Sequence, residues 1–296
     1  MKKYDSVDGT TRINNTPFCV QRGALREDFE VHSHSFSELV LVVEGTATHD
    51  IDEEEYAIKA GDVYVIGGET THGFRDVRNL VLYNIMYDPN SLFSTGGIRS
   101  LPGFQALFVL EPQCRKELGF QHRLQLSPAR LTYVRDQMDI MLAEYARELD
   151  GYEAVLQSYF LALAAFLSRE YVSSREADSA QGELMDLANA VAYMENHYME
   201  PMDLRTLSDF LSVSARHFIR IFRKHYNATP IDYLLRLRLS HALELLRNSR
   251  WNITEVAGRC GFSDSNYFSR QFRRRYGLSP RDYKTMLNER ESRKSS

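Results

Sequence analysis

Ile253-Thr-Glu-Val-Ala-Gly-Arg-Cys-Gly-Phe-Ser-Asp-Ser-Asn-Tyr-Phe-Ser-Arg-Gln-Phe-Arg-Arg-Arg-Tyr-Gly-Leu-Ser-Pro-Arg-Asp-Tyr283 decides the fold of the C-terminal part of this chain. Its landmarks Phe268, Phe272, Pro280 and Tyr283 repeat Phe218, Phe222, Pro230 and Tyr233 at an offset of fifty residues, the mark of an internal duplication. Each copy reads as a short helix (Leu204 to Leu211, Ile253 to Cys260), a tight turn (Ser212 to Ser214, Gly261 to Asp264) and a longer basic helix, which is a helix-turn-helix layout. Gly261 suits the left-handed backbone that such a turn needs. The first copy has Ser212 at that place, so its turn geometry is left open.

Phenylalanines four apart share one helix face and must turn inward. That leaves Arg216, Ile219, Arg220 and Arg223 facing outward in the first copy, and Ser265, Asn266, Ser269, Arg270 and Arg273 in the second. Arginine forks onto a guanine edge, asparagine does the same with adenine, and Ile219 suits a thymine methyl. Lys224, Arg273, Arg274 and Arg275 lie farther along and suit phosphates. For any one arginine a solvated helix face explains as much, but the same outward set occurs twice.

The segment 253–283 resembles the C-terminal signature of the AraC family of bacterial transcription regulators. The resemblance implies an all-α domain of seven helices holding two helix-turn-helix units, joined by a rigid helix at about 230 to 247. It also implies duplex DNA, a small-molecule effector and RNA polymerase as partners of an activator; a second copy of the chain is expected from the apolar stripe of the 128–150 helix, and a cytoplasmic location from the lack of a membrane-length apolar run.

Working outward, helices are expected at about 184–199, 204–211, 215–226, 230–247, 253–260, 265–276 and 280–290. Residues 183–296 hold 19 Lys/Arg against 13 Asp/Glu, while residues 1–182 hold 17 against 27. A net of +6 can approach phosphates and a net of −10 is repelled by them, so the halves meet different partners. The small polar run Ser173 to Gly182 reads as a linker. The expected domains are therefore 1–172, a sensor and dimerisation domain, and 183–296, the DNA-binding domain. No apolar run approaches the roughly 18 residues of a membrane span, and Cys19, Cys114 and Cys260 show no paired metal spacing.

Residues 17 to 88 alternate apolar runs, such as Leu39 to Val43, Val63 to Ile66 and Leu80 to Tyr87, with Gly, Asp and Asn clusters, the pattern of a small antiparallel sandwich or barrel. The fold class is thus α+β. Residues 101–120 show no clear period. Ser127-Pro128 starts a helix whose stripe runs Leu131, Val134, Met138, Met141, Tyr145, Leu149, and a second helix covers about 153 to 171. This pair either closes the sensor core or forms a dimer contact.

His32-Ser-His34-Ser-Phe-Ser-Glu38, followed by Gly45, and Gly61 followed by Gly67 to His72, are similar to the two cupin motifs, with Gly67 where proline is usual. His32 and His34 lie two apart on a strand and point to one side. With Glu38 and His72 they offer three imidazoles and a carboxylate, a set that suits Zn, Mn, Fe or Ni. Three readings stay open: an organic effector held by His32, His34, Glu38, His72 and Tyr83; a divalent metal on His32, His34, Glu38 and His72; or histidines satisfied by backbone. Phe36, Tyr64 and Phe74 are further candidates for stacking on an effector. HSHSFSELVLV (32–42), GDVYVI (61–66), Asn79 to Tyr87 and Leu101-Pro-Gly-Phe104 are similar to the rhamnose-responsive regulators within the AraC family, which implies a sugar as effector. No cofactor is required on this reading, and no enzyme activity is expected. The rival is a cupin metalloenzyme, an isomerase or dioxygenase, with a helical appendage.

Overall fold

The computed structural model describes residues 2–4, 11–13, 16–89, 97–118, 123–175, 182–248 and 251–294. The chain forms two compact units that divide between Ala192 and Tyr193.

The first unit is built on a rolled sheet of β1 (Lys2–Tyr4), β2 (Thr11–Ile13), β3 (Thr16–Leu25), β4 (Phe29–His34), β5 (Ser37–Ile51), β6 (Glu54–Lys59), β7 (Asp62–Ile66), β8 (His72–Tyr87) and β9 (Leu124–Gln125). Its order is β1-β4-β8-β5-β7-β9, with β3 also on β8, β2 on β3 and β6 on β5. The long strands β5 and β8 pair with each other along almost their whole length, and their register shifts near Val42, Glu44 and Thr46. Such bulges bend a sheet and let one strand serve both walls of a barrel. Gly45 sits at this bend with φ +80°, and a Cβ there would lie 2.2 Å from the Asn79 carbonyl oxygen, so only glycine fits.

Alternation on β5 and β8 then sorts the side chains. Val40, Val42, Leu80 and Leu82 join Tyr64 and Phe74 in one buried cluster. Phe18 and Tyr87 meet Phe160, with ring centroids 5.5 and 5.0 Å apart. Each such buried aromatic contributes roughly 1.5–3 kcal/mol.

The interval without a clear sequence period is helical. A 3-10 turn, Ile98–Ser100, leads to α1 (Pro102–Phe104), a π-helical stretch Gln105–Leu110 and α2 (Glu111–Leu118). Its burial is nearly continuous from Gly103 to Leu107, which hides the helical period. Next come α3 (Pro128–Arg147) and α4 (Tyr152–Arg175). Ser127 caps α3 by accepting from the Arg130 amide, and Glu148 ends it in the left-handed region at φ 47°. The α3 stripe does not present a free surface: Val134, Met138 and Met141 are buried, and α3 packs on α4 and β3. Leu149 lies beyond the helix end and is 60% exposed. The pair therefore closes the core of this unit, and a dimer contact cannot rest on the Leu131 to Leu149 stripe.

Both ends of the expected linker 173–182 are helical. Ser173, Ser174 and Arg175 continue α4, Gly182 opens α5 (Gly182–Asn196), and 176–181 lie outside the described residues. Small polar residues are tolerated in the last turn of a helix, so composition placed the break too early. The division between the units falls within α5.

The second unit continues with α6 (Leu204–Asp209), α7 (Ala215–Tyr226), α8 (Pro230–Asn248), α9 (Ile253–Arg259), α10 (Ser265–Tyr276) and α11 (Pro280–Lys294). The duplication is visible in its core: Phe222 meets Tyr226 and Tyr233 at 4.7 and 5.6 Å, and Phe272 meets Tyr276 and Tyr283 at 4.8 and 5.9 Å. Arg238 on α8 donates to the carbonyls of Tyr198 and Glu200 at 2.7 and 2.8 Å, pinning the segment before α6 to the joining helix.

Candidate functional site

Two sites emerge, one in each unit. In the second unit, Ser214 caps α7 through the His217 amide and Asp264 caps α10 through the Asn266 amide. Each helix is amphipathic: Phe218, Ile221 and Phe222, or Phe268 and Phe272, are buried. Arg216, Arg220, Arg223, Lys224, Asn266, Arg270, Arg273, Arg274 and Arg275 are exposed, and Ile219, Ser265 and Ser269 are half-buried on the same outer side. Ser269 returns its hydroxyl to the Ser265 carbonyl at 2.9 Å.

The turn geometry left open for the first copy matches the second. Ser212 has φ 53° and Gly261 has φ 80°, and the following amides, Val213 and Phe262, reach back to the carbonyls of Ser208 and Ala257. Two residues of the same surface were missed. His217 and Tyr267 stand at equivalent places fifty residues apart, both exposed, and Arg220 Nη2 donates to His217 Nε2 at 3.1 Å. The repeat itself would have found them, had each helix been read position by position.

In the first unit the barrel encloses a cavity of about 390 Å³, with His32, His34, Phe36, Glu38, His72 and Phe74 among its walls. His34, Glu38 and His72 are buried and each turns one donor atom to a common point, all within 4.8 Å of one another. His34 Nδ1 donates to the Phe36 carbonyl at 2.8 Å, and its Nε2 lies 3.2 Å from Glu38 Oε2 and 3.1 Å from His72 Nε2. Burial keeps His72 neutral, pulling its pKa down to about 3 against the pull of Glu38. Burial pushes the Glu38 carboxyl up, but the hydrogen bond with His34 and the facing imidazoles outweigh it and hold it low. Two ring nitrogens and a carboxylate oxygen facing one point call for a shared proton or a cation between them.

His32 lines the cavity but stays outside this set. Its ring packs on His72 at 4.3 Å and its Nδ1 binds the Glu30 carbonyl at 3.1 Å. Strand parity puts His32 and His34 on one side, but His32 lies one pleat nearer the rim. Tyr83 is not in the cavity at all. On β8, Leu82, Asn84 and Met86 face inward, so parity turns Tyr83 outward, where its hydroxyl donates to Asp139 on α3. Tyr64 is wholly buried beside His49 rather than at the cavity wall, whereas Phe36 and Phe74 do line it. His49 was missed: fully buried on β5, its Nε2 is 3.4 Å from His72 Nδ1, and burial drives its pKa well below the usual value. The alternation Ala47, His49, Ile51 carries that signal.

Comparison with known proteins bears on both sites. A helix-turn-helix domain model matches residues 207–286, and a cupin domain model matches residues 18–85. The HTH-type transcriptional activator RhaR of Cronobacter sakazakii is 34% identical over 254 residues, 86% of each chain. The chain belongs to the AraC family of transcription regulators. The HTH-type transcriptional activator RhaS of Pectobacterium carotovorum is 31% identical to this AraC-family regulator over 265 residues, 89% of this chain and 90% of that one. Among solved structures, the DNA-binding domain of AdpA in complex with a target DNA is 36% identical and covers 36% of this chain and 95% of its own, with a TM-score of 0.35. This AraC-family regulator is thus a DNA-binding transcription regulator with a cupin sensor domain. No helix among its described residues is long and apolar enough to cross a membrane.

Proposed function

We propose that this regulator is a one-component switch in which a sugar or sugar derivative, held in the barrel cavity, changes how two helix-turn-helix units meet duplex DNA. The observation that carries this is the joint presence, in one chain, of the duplicated outward-facing basic helices and a cavity of about 390 Å³ with a buried polar end. Arg216, Ile219, Arg220, Ser265, Asn266, Ser269 and Arg270 read bases near the starts of α7 and α10, and Arg223, Lys224, Arg273, Arg274 and Arg275 hold phosphates. His32, His34, Glu38 and His72 hold the effector. The protein works in the cytoplasm as a homodimer, contacts RNA polymerase and catalyses no reaction. Tyr133 and Ile140, seven residues apart on the outer face of α3 and 47% and 42% exposed, support the dimer in place of the buried stripe.

The test is selection of bound duplexes from a random pool with the purified protein, alone, with a panel of neutral monosaccharides including rhamnose, and with a chelator. A defined motif whose enrichment changes with one sugar supports the switch. A motif indifferent to every sugar removes the effector, and no motif under any condition removes the DNA reading.

A second reading is favoured by the convergence of His34, Glu38 and His72: these three hold a divalent ion such as Zn, Mn, Fe or Ni. Such an ion would polarise an effector oxygen and balance the Glu38 charge. Metal analysis of the protein as purified, and melting with and without added zinc, tests this. An ion at 100 times its dissociation constant adds about 2.7 kcal/mol, and His34→Ala abolishes that gain.

A further inference from the structure

The barrel cavity carries one polar group that the protein leaves unmet. Asn84 lines the cavity between Leu82 and Met86 on β8. Its Oδ1 is buried and has no hydrogen-bond partner among the described residues. A buried amide oxygen without a donor is uncommon, because desolvation is then uncompensated. The other polar groups of the wall are differently placed: His34, Glu38 and His72 engage one another. Directly opposite in register on β3 stands Gln21, a second amide that also lines the cavity. Among the described lining residues there is no lysine or arginine, so nothing there recruits a phosphate or carboxylate, and Glu38 disfavours one. A half-turn of a carboxamide exchanges its oxygen and nitrogen without changing its volume, so Asn84 can turn either to a ligand.

We infer that Asn84 is the specificity-determining residue of this cavity, accepting a hydrogen bond from one hydroxyl of a neutral polyhydroxylated effector beside Gln21. This rests on the sugar reading above. A ligand lacking that hydroxyl leaves the amide oxygen unmet, and a polar site rejects such an analogue more strongly than an apolar site rejects a missing methylene. Apolar neighbours Val40, Leu82 and Met86 fix the position of the amide but cannot themselves make that distinction.

The experiment measures melting temperature and binding by titration on full-length wild-type protein and Asn84→Leu, with a panel of neutral aldohexoses and 6-deoxyhexoses, then with monodeoxy analogues of the sugar that binds. Asn84→Leu removes the unmet acceptor at similar size, so the ligand-free variant melts at or above wild type. It binds the sugar about tenfold or more weakly. One monodeoxy analogue loses a similar factor on wild type and nothing further on Asn84→Leu. If the variant binds as tightly as wild type, or every analogue loses equally on both proteins, the assignment of Asn84 is overturned while the sugar reading stands. If no sugar binds wild type, the sugar reading fails and this inference with it. Should Asn84→Leu not fold, the analogue series on Asn84→Ala reads the same difference.

Discussion

The Tyr83 hydroxyl donates to the Asp139 carboxylate, which ties β8 to α3 one residue from the cavity-lining Asn84. Burial and that hydrogen bond push the Tyr83 hydroxyl up to about 12, so it stays a donor at any working pH. Arg22, opposite Tyr83 on β3, places its guanidinium 5.9 Å from the ring centre. The same two strands thus present amides to the cavity and an ion-linked tyrosine to the helix. Tyr83→Phe removes only the hydroxyl. It is expected to leave sugar binding within about threefold, while reducing the sugar-induced change in operator affinity by about 0.5–2 kcal/mol. Operator titrations with and without the sugar check this, and an unchanged difference would clear Tyr83 of any part in the coupling.

The two turns of the duplicated motif respond oppositely to substitution. At Gly261 a Cβ would lie 2.8 Å from the Met199 carbonyl oxygen, with φ +80°. Gly261→Ala is expected to lower stability by about 1–3 kcal/mol. Ser212 adopts φ 53° with a side chain present, so Ser212→Gly leaves stability unchanged or raises it by up to about 1 kcal/mol. Urea unfolding of both variants distinguishes these signs.

On DNA, Arg270→Ala is expected to cost about 1–3 kcal/mol at a matched site and to relax specificity at one base pair, whereas Arg274→Ala weakens all sequences similarly. Competition binding with matched and random duplexes measures both, and equal losses on random DNA contradict the division of roles. Both residues are exposed on α10, so neither change should alter the melting temperature.

Stability should fall with acid in a defined window. His72 has its folded pKa lowered to about 3 and His49 is lowered as well, so between about 6.5 and 3 the unfolded chain binds protons that the folded chain does not. The sign is therefore a loss of stability as pH falls below 6.5, and no dependence from these groups above it. Each contributes up to about 1.4 kcal/mol per pH unit. Urea midpoints at pH 7.5 and 5.5 show the loss, and His49→Phe flattens it. A midpoint independent of pH over that interval would mean that these rings are not buried neutral.

The limits of the sequence follow the range over which its signals act. The helices of the second unit were legible to within about four residues at each end, because a helical period and a fifty-residue repeat are local and agree with one another. The outward face of α7 and α10 followed from phenylalanines four apart. By contrast, alternation shows that residues two apart share a face but not which face is the cavity. That is why Tyr83 was put inside, and why Asn84 and His49 were passed over. Only the tertiary structure decided that His34, Glu38 and His72 meet while His32 stops short. Those distances are set by the β5 and β8 bulges and by Gly45, where one residue of slip would turn every side chain to the other wall. Likewise the α3 stripe announced an apolar face, but what covers that face is set by tertiary packing: the next helix, α4, and β3, which lies far back in the chain.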